Sequence, residues 1–235
     1  VWTRGTDIAD AKEIFRGAAT AVSAGAYMLR EADDVIHATI AYRGISFHER
    51  EYFWLNPTNF EWVKLDIPAK ANPYGIVDGH ILYSTDVDWT VGDQAFPADS
   101  LIAMDLEAWK ADPNGAAKTL VWAPAERQTK RGGAITANSM FVGMLDNVVG
   151  KVLKFDFVDG EWVSEQVDLP DNATIGIEAS DDKTDQIMYT VSGFLEPTTL
   201  YYTDGSAAPS VLKTSPAYFD PAGMEVEQYE ATSKD

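Results

Sequence analysis

Chemistry needs particular side chains at particular spacings, and this chain offers few. His37, His48 and His80 are its three histidines, and they lack the spacing of a metal-ligand set. His48-Glu49 begins a zinc-protease motif, but position 52 is Tyr52, so the second histidine is missing. Asp86-Val87-Asp88 with Gly92-Asp93 loosely resembles a calcium loop. Thr90 replaces a usual oxygen ligand and the bidentate glutamate is absent, so a solvated loop between strands is the reading. The Gly-x-Ser-x-Gly turn that exposes a hydrolase serine is absent, as are both glycine-rich phosphate loops. Asp33-Asp34 and Asp181-Asp182 read as carboxylates at turns. No catalytic residue, metal site or cofactor is assigned.

Composition narrows the classes further. The 235 residues carry 18 Lys+Arg against 37 Asp+Glu, a formal charge of −19, which argues against nucleic acid and against an anionic membrane surface. Cys is absent, which excludes disulfide scaffolds, thiolate metal sites and cysteine nucleophiles. The compartment stays open between cytoplasm and periplasm. No apolar run approaches the roughly 20 residues of a membrane-spanning helix.

The elements that would position any site are strands. With 7 Trp, 10 Tyr and 10 Phe, and β-branched residues in short runs between turn signals, the chain reads as all-β. Runs end at Pro68, Pro124, Pro170 and Pro216, spaced by 56, 46 and 46 residues. Turn signals precede each: Asn56-Pro57-Thr58-Asn59, Asn114-Gly115, Asp159-Gly160 and Asp204-Gly205. A repeat of about 45 residues with four strands is the signature of a β-propeller blade.

Four blades follow, at about 18–69, 70–124, 125–170 and 171–216. Their strands are expected near 22–29, 35–42, 51–55 and 60–65; 73–77, 80–85, 100–106 and 118–122; 134–137, 139–145, 152–157 and 162–167; 173–179, 186–191, 199–203 and 210–213. Asp7 to Ala19 reads either as a helix or as an outer strand with its loop. The repeat favours the strand, with Val1–Arg4 and Glu13–Phe15 as the outer hairpin of a preceding blade (1–17). A new alternating run begins at Glu225-Val226-Glu227-Gln228-Tyr229. About 4.5 blades of a presumed seven-bladed ring are expected, with 217–235 as a linker or first strand toward another domain.

Tyr189-Thr190-Val191-Ser192-Gly193-Phe194-Leu195-Glu196-Pro197-Thr198-Thr199-Leu200-Tyr201 resembles the last-blade segment of prolyl oligopeptidases. The closing Gln228-Tyr229-Glu230-Ala231-Thr232-Ser233-Lys234-Asp235 resembles that family's approach to its peptidase domain. Phe141 to Val148 is similar to the matching strand and loop one blade earlier. Gly193 and Glu196 depart from the family's pattern of Ser or Asp and a small hydroxyl residue.

The resemblance implies a propeller lid over an α/β-hydrolase domain with a Ser-Asp-His triad beyond Asp235. The lid restricts substrates to short peptides cleaved after proline, and this chain alone is expected to be inactive. Alternating strand direction puts the loops between second and third strands on the face where the fourth strand exits. These are 43–50, 86–98, 146–150 and 192–197. Arg43, Ile45, Phe47, Trp89, Asp146, Asn147 and Phe194 are therefore expected at the substrate-pocket wall or the domain interface. The competing reading is a stand-alone propeller that binds a protein or glycan partner.

Overall fold

The computed structural model describes residues 2–205 and 208–232. The chain divides into two compact units, Val1–Ala123 and Pro124–Asp235. Each contains two four-stranded antiparallel sheets.

In unit 1 the first sheet is a meander of β1 (Ser23–Arg30), β2 (Ile36–Gly44), β3 (Arg50–Leu55) and β4 (Trp62–Lys64). The second runs β5 (Ala71–Val77), β6 (His80–Thr85), β9 (Leu101–Asp105) and β10 (Thr119–Trp122). Between β6 and β9 lies a separate hairpin, β7 (Trp89–Val91) and β8 (Gln94–Phe96). The residues that loosely resemble a calcium loop form this hairpin and its approach: Asp86 accepts from Asn72 Nδ2 at 2.9 Å and Asp88 from the Ala98 N–H at 2.8 Å.

In unit 2 one sheet is β11 (Gln128–Ile135), β12 (Met140–Asp146), β13 (Val149–Val158) and β14 (Glu161–Gln166). The other is β15 (Thr174–Ser180), β16 (Ile187–Ser192), β17 (Thr199–Thr203) and β18 (Ser210–Thr214).

Period-two burial holds the sheets on their neighbours. In β3 Tyr52 and Trp54 are buried while the residues between them are not, as the pleat requires. Their core in unit 1 includes Ile40, Ile81, Tyr83, Ile102 and Trp109, with Trp54 and Trp109 edge to face at 5.7 Å. In unit 2 Phe141, Val152, Ile187, Tyr189 and Val191 form the corresponding cluster.

Three expectations are corrected. The strand expected to run through Leu106 stops at Asp105, whose carboxylate accepts the Ala108 N–H at 2.7 Å and starts a short helix, α1 (Leu106–Ala111). The Glu13–Phe15 strand is absent. Residues 8–10 form one turn of 3-10 helix, and Phe15 instead packs on Phe53 and Trp62, whose indole donates to the Ile14 carbonyl at 2.6 Å. A strand there would need a ladder partner, and its side chains and carbonyl are used against β3 and β4. Residues 225–229 also form no strand. The parts of these expectations that fall on Val1 and on Ser233–Asp235 lie outside the described residues.

Candidate functional site: the exit face of each unit

Every sheet starts and finishes on one end. In unit 2 Thr174 opens β15 opposite Ser192, and Thr199 opens β17 opposite Thr214, where the chain leaves β18. The β16–β17 loop is thus beside the exit, and Ser215 N–H donates to the Thr198 carbonyl at 2.9 Å. The β12–β13 turn lies at the same end, because Gly150 N–H donates to the Ala173 carbonyl just before β15 at 2.9 Å.

This end of unit 2 holds a cavity of about 370 Å³. Val148 and Asn172 line it from one side, Phe194 from the β16–β17 loop, and Val226 to Gln228 from the segment after the last strand. Phe194 is 82% exposed and Val148 71%, so both present apolar surface to solvent. The segment is held by two links: Gln228 Nε2 donates to the Asn147 carbonyl at 3.2 Å, and Arg127 pairs with Glu230 at 2.5 Å.

The turn that supplies Val148 is strained. Asn147 and Val148 have φ of 49° and 68°, both left-handed, which suits a tight two-residue hairpin. Asp78-Gly79 and Asp159-Gly160 make the same kind of turn with glycine second. A β-branched residue there costs roughly 1–2 kcal/mol, and such outliers concentrate at functional sites. Val148 was missed among the candidate residues. Its signal was Asn-Val between two alternating runs, where Asn-Gly is the relaxed choice.

Asp146, at the end of β12, pairs with Lys151 at 2.7 Å. The Lys151 hydrogen bond lowers its carboxyl below the usual value, so it stays charged and neutralised within its own hairpin.

In unit 1 the corresponding connections carry the other candidates. Arg43, near the end of β2, is engaged by the Glu51 carboxylate, which also takes Lys64 at 2.6 Å, and its guanidinium lies 5.4 Å from the Phe53 ring centre. Arg43 and then Lys64 hold the Glu51 carboxyl below its ordinary value. Ile45 and Phe47, 50% and 86% exposed, occupy the β2–β3 loop, closed by Ile45 N–H to the Glu49 carbonyl at 2.8 Å. Trp89 differs from them. It packs on Phe96 at 5.4 Å and Tyr83 at 6.3 Å, so its ring anchors the β7–β8 hairpin to the core.

Two of the histidines sit in structural networks, while His48 is exposed on the β2–β3 loop. His37 lies between the Glu31 carboxylate at 2.9 Å and Lys110 Nζ at 3.0 Å, and Glu31 also accepts the Gly79 N–H at 2.9 Å. His80 Nδ1 is 2.7 Å from the Asp78 carbonyl. Among the described residues no group of three or more His, Asp or Glu could hold a metal ion, and no helix is long and apolar enough to cross a membrane.

Repeated four-stranded antiparallel meanders are the blades of a β-propeller. The chain belongs to the family described as prolyl oligopeptidase, N-terminal beta-propeller domain, which it matches over residues 4–215. It is 36% identical over 236 residues to the uncharacterized peptidase y4nA of Sinorhizobium fredii, covering 99% of this chain and 32% of that protein. The uncharacterized peptidase RP174 of Rickettsia prowazekii is 23% identical over 241 residues, covering 100% and 33%. The chain therefore spans about a third of the length of the curated relatives it matches.

Among solved structures, a post-proline cleaving enzyme from Rickettsia typhi superposes with a TM-score of 0.82 at 22% identity, over 99% of this chain and 34% of that one. Prolyl oligopeptidase B from Galerina marginata gives 0.58 at 14% identity, over 84% and 27%. These likenesses carry the fold.

Proposed function

We propose that this chain is the lid and substrate-gating part of a prolyl oligopeptidase-like serine peptidase that cleaves short peptides after proline. The triad would be supplied by an α/β-hydrolase domain of the same protein, reached through residues 217–235. On this reading 18–69, 70–124, 125–170 and 171–216 are four blades, and 1–17 completes a preceding one.

The observation that carries the reading is the position of the exit. The chain leaves β18 on the end of unit 2 where Phe194 and Val148 present bare apolar surface around a cavity, and 226–228 lines that same cavity. A domain following this segment would meet those side chains. Family membership and the threefold greater length of the peptidase relatives support it. The gating residues would bind and exclude rather than react. Phe194 and Val148 on unit 2, and Ile45 and Phe47 on unit 1, would each offer apolar surface to a prolyl peptide or to the following domain. Arg43, already balanced by Glu51, would hold its loop.

The test uses the protein in its native length with a chromogenic proline peptide series of increasing length. Turnover confined to short members, lost in the 235-residue chain alone, supports the reading. Phe194→Ala and Phe47→Ala should raise KM more than they lower kcat. Turnover by a pure sample of the 235-residue chain, or indifference to peptide length in the whole protein, overturns it.

A further inference from the structure

The first strands of the two sheets in unit 2 share an irregularity that aims two charges at one groove. In β11 Lys130 is opposite Met144 and Gly132 opposite Gly143, so Arg131 is an extra residue facing none. In β15 Ile177 is opposite Tyr189 and Ala179 opposite Met188, so Glu178 is the extra residue. A bulge of this kind bends its strand and re-aims the side chain it carries.

Both side chains line the same groove, of about 810 Å³, which also reaches Val148. That is the size of a small-ligand site. Four glycines, Gly132, Gly133, Gly143 and Gly176, keep its wall low and its backbone accessible.

The two charges differ in their engagement. Glu178 accepts from Thr190 Oγ1 at 2.5 Å through Oε1. Arg131 has no hydrogen-bond or ion-pair partner among the described residues, in a chain with 37 acidic side chains available to pair with 18 basic ones. Counted from the exit end, Arg131 is three residues into β11 and Glu178 four into β15, so the groove has a cationic part on one strand and an anionic part on the other at similar depth.

We propose that this groove binds a short peptide by its free carboxylate, with Arg131 as the carboxylate ligand and Glu178 setting the polarity of the bound chain. Arg suits the role because its guanidinium forms two parallel hydrogen bonds to a carboxylate. Glu178 repels a second anion and favours a peptide whose amino end points toward it. The inference rests on the reading of the chain as part of a peptidase for short peptides, and it adds a preference for substrates with an unblocked carboxyl end.

The probes are two proline-containing pentapeptides identical except for a free acid or a carboxamide at the carboxyl end. Their equilibrium affinities for the native-length protein are measured by calorimetry, with cleavage suppressed by a serine-directed inhibitor. The free acid should bind about twofold to fivefold more tightly, as expected of one exposed ion pair. Arg131→Gln should erase the difference, Arg131→Lys should retain part of it, and raised salt should shrink it in the wild type.

Equal affinities for acid and amide in the wild type overturn the proposal. So does a preference that survives Arg131→Gln in a variant whose thermal unfolding matches the wild type. Cleavage of the same peptides without inhibitor reads the peptidase assignment separately: its absence sinks that assignment, while the acid-amide comparison still judges Arg131.

Discussion

Asn114 grips the backbone on both sides of Leu65: its Oδ1 accepts the Asp66 N–H at 2.8 Å and its Nδ2 donates to the Lys64 carbonyl at 3.0 Å. The two residues joined by the first bond are 48 apart. Glu31 to Gly79 and Ile14 to Trp62 have the same separation, and Asp185 reaches Thr136 across 49. Such side-chain bonds one repeat away tie neighbouring sheets at their ends or, for Ile14, tie the segment before β1 to its sheet, where the packed faces alone would leave them free to slide.

Asn114→Ala should therefore lower stability by about 1 kcal/mol, since it leaves one donor and one acceptor to water. Asn114→Asp keeps the acceptor for Asp66 but loses the donor to Lys64, and should fall between. Urea midpoints measure both. Variants indistinguishable from wild type would show that the outer connections are not tied here.

Val148→Gly should stabilise unit 2 by about 1 kcal/mol, because glycine adopts the left-handed φ of 68° without a Cβ penalty. If the proposed function holds, the same change should lower kcat/KM of the native-length protein for proline peptides by removing apolar surface. Unfolding and turnover measured on one preparation test the trade. Loss of stability would mean that the valine packs better than its 71% exposure indicates.

Trp109→Ala should cost about 3–5 kcal/mol. The indole is 2% exposed on a helix of one and a half turns and meets Trp54 edge to face, so its loss leaves a cavity under α1. Far-ultraviolet melting curves give the shift. A cost below about 1 kcal/mol would mean the core collapses around the gap.

Acid should expose the Glu51 network. Its folded carboxyl titrates below the ordinary 4.5 because Arg43 and Lys64 bind the charged form. The contribution is complete above 4.5 and fades as pH falls from there through the lowered folded value. Glu51→Gln should be less stable at pH 7, and its deficit should be smaller at pH 3. Parallel urea curves at the two pH values would remove this ion cluster from the account.

Strand positions were legible because alternation and turn chemistry are local. Asp159-Gly160 and the run from Val152 to Phe157 appear as expected, as β13, its turn and β14. The spacing of 56 between Pro68 and Pro124, against 46 for the next two, already marked extra chain, and it is filled by the β7–β8 hairpin and α1. Helix α1 was missed because Leu101–Leu106 reads as one apolar strand run. Only the Asp105 cap decides where it turns. The bulges at Arg131 and Glu178 leave no trace in composition, since an unpaired residue is defined by its neighbour strand. Among the candidates, Phe194 lines the cavity and the Asn147 carbonyl accepts from Gln228 beside it, Ile45 and Phe47 stand exposed on one loop, and Trp89 is drawn into packing, which no local pattern separates from an exposed aromatic.

Each of the four larger sheets among the described residues has four strands, an even number, so the chain leaves each of them at the end where it entered that sheet. A gene that duplicates or deletes one such unit would therefore keep every remaining loop pointing the way it did before. Anything fused after the last strand would meet the end of the last sheet at which its first strand began.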